Sequence, residues 1–318
     1  MRSEVRDRAS AFAPGHVTGI FRPELGARDP RARGSVGAGL VLGAGVDAWA
    51  EWTAASRASA AVRSDVAGAL PISRAVAEHL LAARPGRLVV RLFHALPIGQ
   101  GFGSSAAGAT ATALAVGRLV GVGRDRAVAT AHLAELFGGG GLGGVSAILG
   151  GGLEIRERPG VPPFGRVVHR KGPPRLLVGV VGDPIATRGV LSSPRWRTRI
   201  EAASHPFDAL RERPSLEAFW SASERFTDGV GLAPRPLRDV VRGLRRRGVR
   251  AAQAMFGGSF FAEAPTASSR KAIYRWLAAG SVRAVELPPA RTGARIRRVV
   301  SPRPGPERTR SGARVATL

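Results

Sequence analysis

Apolar positions along the chain fall into short runs punctuated by glycine and proline, and the spacing within those runs changes from segment to segment. Residues 11–21, AFAPGHVTGIF, and 34–52, GSVGAGLVLGAGVDAWAEW, alternate turn formers with short apolar stretches, which predicts strands and hairpins. PISRAVAEHLLAARPG then predicts a helix over 71–84, with Pro71 in its first turn and Pro85 and Gly86 past its end. RLVVRLFHAL, 87–96, reads as a strand that runs straight into the glycine loop LPIGQGFGSS. From Ala106 to Val120 small apolar residues occupy nearly every face, so the helix expected there is buried all round. A second helix over 125–137 is expected to be capped by Asp125 and to end in the glycines of FGGGGLGG.

After the strand-like LEIRER, the proline-rich PGVPPFG (159–165) reads as a linker. RLLVGVVG (175–182) predicts a strand, 206–247 helix, and AAQAMFGGSFFAEA (251–264) a strand or hairpin around a glycine turn. KAIYRWLAAG predicts a helix and VRAVELPPA a last strand, leaving an arginine-rich end that reads as disordered. The expected division is a first lobe over 1–165, a second over 166–300 and a basic tail over 301–318.

Composition narrows the chemistry. No uncharged apolar run reaches the roughly 18 residues of a membrane span, and the opening MRSEVRDRAS lacks the apolar core of a signal peptide, so a cytoplasmic location is expected. The absence of cysteine removes disulfides, thiolate nucleophiles and thiolate metal sites, and the six histidines show no zinc-binding spacing. A formal charge of +25 invites a nucleic-acid reading. Only Lys171 and Lys271 are lysines, however, and the clusters at Arg245–Arg247 and Arg295–Arg314 match no nucleic-acid motif, so a solvated basic surface is the stronger reading. A homodimer is left open.

A glycine loop between a strand and a helix presents backbone N–H groups and the positive helix end to an anion. Gly99, Gly101 and Gly103, followed by Ser104 and Ser105, suit such a cradle, while a tight turn for close packing is the alternative. A Walker A loop is excluded because the first lysine is Lys171. Gly101, Gly103 and Ala106 also fit a dinucleotide fingerprint, but Asp125 lies between two helices and not at the end of a second strand.

PIGQGFGSSAAGA, from Pro97 onward, resembles the P-x-x-x-G-L-G-S-S-A-A motif of the GHMP small-molecule kinases, with Phe102 in place of leucine. FAPGHVTGIF (12–21), ARGSVGAGLVL (32–42), the 131–156 segment and AQAMFGGSFFA (252–262) resemble, in order, the archaeal pantoate kinases of that superfamily. The resemblance implies an α+β, two-lobed GHMP kinase fold, with an N-terminal lobe like domain 2 of ribosomal protein S5 and a ferredoxin-like C-terminal lobe. It also implies ATP-dependent phosphorylation of pantoate to 4-phosphopantoate in coenzyme A synthesis, with ATP and Mg²⁺; the alternatives are a GHMP kinase for another small hydroxy acid or alcohol such as mevalonate or homoserine, or a nucleotide-binding relative without turnover.

By the same resemblance Pro97, Gly99, Gly101, Phe102, Gly103, Ser104, Ser105 and Ala106 form the phosphate loop. Ser105 and Glu135 would hold Mg²⁺, and Ser35, His132 and Arg156 would bind the acceptor. Two departures stand out. The family's G-L-G-D-V is GLGGV here, so Gly144 occupies the place of an aspartate expected to orient or deprotonate the attacking hydroxyl, and the sequence identifies no substitute carboxylate. In GDPIATR (182–188), Arg188 replaces a lysine.

Overall fold

The computed structural model describes residues 6–66, 70–82 and 84–300. In chain order the first part contains β1 (Arg6–Glu24), β2 (Gly34–Thr53), β3 (Ala58–Ser64), α1 (Pro71–Leu81), β4 (Gly86–His94), α2 (Ser104–Val120), α3 (Arg124–Gly138), α4 (Gly144–Ala147), β5 (Leu153–Arg158) and β6 (Arg166–Arg170). The second contains β7 (Leu176–Val180), α5 (Thr187–Ser192), α6 (Pro194–Ala203), α7 (Pro206–Glu212), α8 (Leu216–Val230), α9 (Arg235–Arg246), β8 (Ala251–Gln253), β9 (Ser259–Glu263), α10 (Ala267–Ala279) and β10 (Arg283–Leu287). The chain then returns to the first sheet as β11 (Arg295–Val300).

The first sheet has seven strands, five of them in the order β11-β1-β2-β4-β3, with β5 pairing β2 and β6 pairing β5. β1 and β2 make a long antiparallel hairpin, from Arg6 opposite Thr53 to Glu24 opposite Gly34. Its register shifts between Pro14 and His16 and again between Thr18 and Ile20. The second sheet has the order β10-β7-β9-β8, which with the intervening helices is the βαββαβ arrangement expected of a ferredoxin-like lobe.

Alanine, glycine and threonine let α2 be buried along most of its length, as its composition predicts. At Gly117 an added Cβ would stand 3.2 Å from the Ala127 Cβ, so the glycine is what lets α3 pack this close. A second core joins the lobes: Phe21 of β1 lies edge-on to Phe226 of α8 at 5.5 Å and to Phe256 at 5.4 Å between ring centroids. Aromatic burial of this kind packs the two parts of the chain against each other.

Several expectations change. PGVPPFG is the turn of the β5–β6 hairpin, closed by a Phe164 N–H to Val161 carbonyl bond of 3.0 Å, so a boundary at 165 cuts through a paired ladder. The last described strand is β11, and the arginine-rich segment from Arg295 to Val300 pairs with β1, Ile296 opposite Ala11 and Val299 opposite Ala9 across a register shift. The expected tail, 301–318, lies outside the described residues. Asp125 does not cap α3; Gly123 holds that position and Asp125 sits in the first turn. Helices α5 and α6 fill 187–203, where the mixed charged and apolar pattern gave no signal. Among the described residues no helix is long and apolar enough to cross a membrane.

Candidate active site

The glycine loop lies at the bottom of the cleft. Gly99, Gly101 and Gly103 have φ of +76°, +76° and +69°, so the loop is made of alternating left-handed turns that side chains disfavour. A Cβ on Gly101 would come 2.5 Å from the Ala254 carbonyl, so the loop is also pressed against the second lobe. The start of α2 has no side-chain cap. Ser104, expected to cap the helix or meet phosphate, instead donates to the Pro97 carbonyl at 3.2 Å and ties the loop to its own entry. The first-turn amides of α2 therefore remain available to an anion.

Ser105 points the other way and donates its hydroxyl to Glu135 of α3, whose second carboxylate oxygen accepts from the Gly141 N–H at 2.7 Å. Glu135 is 2% exposed, so it is not the solvated helix residue that its sequence context alone implies. Burial pushes its pKa above the ordinary carboxylate value, outweighing the two hydrogen bonds. A buried carboxylate beside a hydroxyl is a partial set of hard oxygen donors, suited to a small divalent cation whose other ligands are phosphate oxygens and water.

Ser105, Gly99 and Gly140 line two adjoining cavities. One, of about 390 Å³, has apolar walls from Pro71, Ile72, Ile98 and Pro184 and includes Arg188. The other, of about 150 Å³, reaches Ser35, Gly144, Arg156, His16 and Thr18. The loop thus lines the smaller compartment from Gly99 to Ala106 and meets the larger one, which has room for a nucleoside, at Gly99, Ser104 and Ser105.

The smaller compartment contains a charged network assembled across strands. Arg156 of β5 is 1% exposed, and its Nη1 pairs with Glu154, which is fully buried. Glu154 Oε1 also meets His16 Nε2 of β1 at 2.8 Å. Burial alone would raise the Glu154 pKa, but the Arg156 charge and the His16 hydrogen bond bring it below the ordinary value. Burial lowers the His16 pKa, outweighing the opposing pull of Glu154. At neutral pH the network is therefore a charged Arg156–Glu154 pair with a neutral imidazole. Among the described residues the Arg156 Nε has no hydrogen-bond partner, and an added Cβ on Gly143 would stand 2.6 Å from both that Nε and the Ser35 hydroxyl. Arg156 and Ser35 consequently meet beside the Gly143–Gly144 turn.

His132 is placed differently. It is buried at 2% exposure, not a surface histidine, and is absent from the lining of both compartments. Its ring lies by the backbone of Pro30 and Arg33, and burial lowers its pKa despite those neighbours. Phe102 packs into the core that joins the lobes, while its carbonyl accepts from the His16 N–H at 2.9 Å. His16, Thr18 and Glu154 were not among the residues singled out from the sequence. The only available signal was the histidine within FAPGHVTGIF, since nothing local links it to a glutamate 138 positions away.

The N-terminal domain model of the GHMP kinases matches residues 71–152, which span α1, the glycine loop and the Glu135 turn. A pantoate kinase of Methanospirillum hungatei JF-1 is 32% identical over 259 residues, covering 80% of this chain and 87% of the relative. The chain belongs to the pantoate kinase family of GHMP kinases. As a member of that family it is a small-molecule kinase that uses ATP. A pantoate kinase of Thermococcus kodakarensis is 30% identical over 74% of this chain and 80% of its own. A solved structure described as a phosphotransferase related to the CoA biosynthesis pathway superposes with a TM-score of 0.78 at 27% identity, covering 92% of this chain and 99% of that one. Homoserine kinase of Cytophaga hutchinsonii, at 14% identity and a TM-score of 0.64, shares the fold.

Proposed function

We propose that this chain phosphorylates pantoate to 4-phosphopantoate with ATP and Mg²⁺, in the cytoplasm, as a step toward coenzyme A. The observation that carries the acceptor assignment is the buried Arg156, whose unpartnered Nε lies beside Ser35 on the wall of the small compartment. A guanidinium there can bind a carboxylate with directed hydrogen bonds, and a hydroxyl beside it can bind the acceptor's alcohol end. The small volume favours a compact hydroxy acid over a sugar phosphate or a nucleotide. The pantoate kinase relatives support the choice among hydroxy acids.

In this reading the amides at the start of α2 bind the phosphates, and the apolar walls of the larger compartment hold the nucleoside. Ser105 and Glu135 would hold Mg²⁺, the buried Glu135 carboxylate supplying a hard anionic oxygen. When bound, the cation supplies neutralisation of charge on the transferred group. Arg156 and Ser35 orient the acceptor, and the aromatic junction of the lobes excludes water from behind it. His132 contributes from behind the Pro30–Arg33 segment, by holding that segment against α3.

The deciding experiment is ADP release by the purified protein with MgATP and, separately, pantoate, mevalonate and homoserine. Turnover confined to pantoate is expected. Turnover with another acceptor in its place would reassign the small compartment, and ATP binding without turnover on any acceptor would refute the kinase reaction.

A further inference from the structure

This inference rests on the phosphoryl-transfer reading above and concerns the proton of the acceptor hydroxyl. Gly144 carries no side chain where the family's motif has aspartate, yet the same compartment contains another proton acceptor. We infer that His16, oriented by Glu154, is the general base of this chain and does the work that an aspartate at position 144 would otherwise do.

Geometry carries the argument. His16 lies between the two register shifts of β1, at Pro14/His16 and Thr18/Ile20, and such irregularities re-aim side chains beside active sites. Its N–H bond to the Phe102 carbonyl fixes the residue to the phosphate loop, and Gly103 packs on its backbone, with room for no more than a 3.0 Å Cβ contact. Ionised Glu154 accepts the Nε2 proton at 2.8 Å, so the neutral ring carries its lone pair on Nδ1. Nδ1 faces Thr18 Oγ1 at 3.5 Å, the outer limit of a hydrogen bond, so that lone pair is nearly unspent. His16 and Thr18 both line the compartment with Ser35 and Arg156. Hydroxyl, imidazole and carboxylate in this order are the parts from which hydroxyl-activating triads are built.

The acceptor oxygen bonds to the γ-phosphorus while the bond from that phosphorus to the β,γ-bridging oxygen breaks, and ADP keeps the electron pair. The hydroxyl proton passes to His16 Nδ1, giving an imidazolium stabilised by Glu154, and leaves to water after product release. The charged and titratable groups acting on His16 are Glu154 and Arg156 of β5 and His169 of β6. Burial, the largest influence, keeps the ring neutral below its ordinary value of 6.5, so it is ready to accept a proton at neutral pH.

The test has two arms. Long-range ¹H–¹⁵N correlation spectra of the labelled full chain, with the six histidines assigned by substitution, read the His16 tautomer and pKa without any turnover. An Nε2–H tautomer titrating below 6.5 is expected. An Nδ1–H tautomer, or a ring charged at pH 7, overturns the inference whatever the acceptor proves to be. In the kinetic arm, His16→Asn is expected to lower kcat about 10²-fold with little change in the KM for ATP. Adding Gly144→Asp to that variant is expected to restore roughly tenfold or more of it. Absence of rescue in a folded double variant assigns His16 a structural role. Should His16→Asn fail to fold, Glu154→Gln provides the reading. Loss of the carboxylate lowers the His16 pKa further, so the acid limb of kcat/KM moves to lower pH, whereas an unmoved limb refutes the base. If wild-type protein does not turn over pantoate, the acceptor assignment fails while the tautomer still decides the role of His16.

Discussion

The phosphate side and the acceptor side of the cleft are built on opposite plans. In the proposed reading the phosphate side is one contiguous segment, Pro97 to Ala106, whose left-handed glycines and uncapped amides would do the binding, while Ser104 closes the loop on itself. The acceptor side draws Ser35, Glu154, Arg156, His16 and Thr18 from β1, β2 and β5, and depends on buried side-chain charge. Backbone-built sites tolerate changes of side chain but not of backbone conformation; charge-built sites show the reverse. Substitutions on the two sides should therefore fail in different ways.

The largest expected effect is on the charge-built side. Arg156→Ala removes the charged partner of Glu154 and leaves its buried carboxylate with only the His16 hydrogen bond, which costs up to about 3–5 kcal/mol of folding stability. In the folded fraction the acceptor KM should rise by roughly 10²-fold or more, with the ATP KM nearly unchanged. Denaturant melts and two-substrate kinetics measure the two effects, and an equal rise in both KM values would remove the distinction between the sides.

Glu135→Gln separates stability from activity at the junction. The folded-state pKa of Glu135 is raised, so its contribution to stability is present at low pH and is lost as pH rises through that value. Above that pH the neutral amide should leave the metal-free protein as stable as wild type or more so, while turnover falls and the Mg²⁺-dependent rise in Tm disappears. Thermal melts at pH 5 and 8, with and without Mg²⁺, give the comparison, and a lower Tm for the metal-free variant at pH 8 would contradict the assigned burial cost.

Gly101→Ala tests the backbone-built side. At φ of +76°, with a Cβ 2.5 Å from the Ala254 carbonyl, alanine strains the loop by about 1–3 kcal/mol. The expected result is a higher ATP KM with the acceptor KM little changed, the converse of Arg156→Ala. Gly101 also borders the smaller compartment, so an acceptor KM raised as much as the ATP KM would mean that the loop shapes both sides equally.

The same contrast explains what the sequence could reveal. The glycine loop and its helix were legible because their pattern is local: strand, glycines, serines and helix follow one another, and the small-residue pattern of α2 marks a helix buried on most sides. Glu135 was legible only through its resemblance to the family, since a lone glutamate on a helix carries no sign of its 2% exposure. His16 and Glu154 were missed because their partnership is made by strand pairing and by two register shifts in β1, and no window of sequence contains both residues. PGVPPFG was misassigned for a related reason: proline and glycine mark a turn, but whether the turn joins strands or lobes depends on what β6 pairs with.

The smallest expected effect is that of Gly144→Asp alone. A Cβ at this position would stand 2.7 Å from the Ala106 Cβ, closer than real Cβ atoms come, so the start of α2 or the 143–144 turn must shift by roughly an ångström. That overpacking costs about 1 kcal/mol and works against the phosphate loop, because Ala106 belongs to it. With His16 already accepting the proton, a second base adds little, and kcat should change by less than about tenfold. Ala106→Gly in the same chain removes the contact and should recover any loss in ATP KM without raising kcat further. A single Gly144→Asp substitution that raised kcat by roughly 10²-fold or more would mean that the acceptor side lacks a base, and would shift the acceptor-side role from His16 to Arg156 and Ser35 alone.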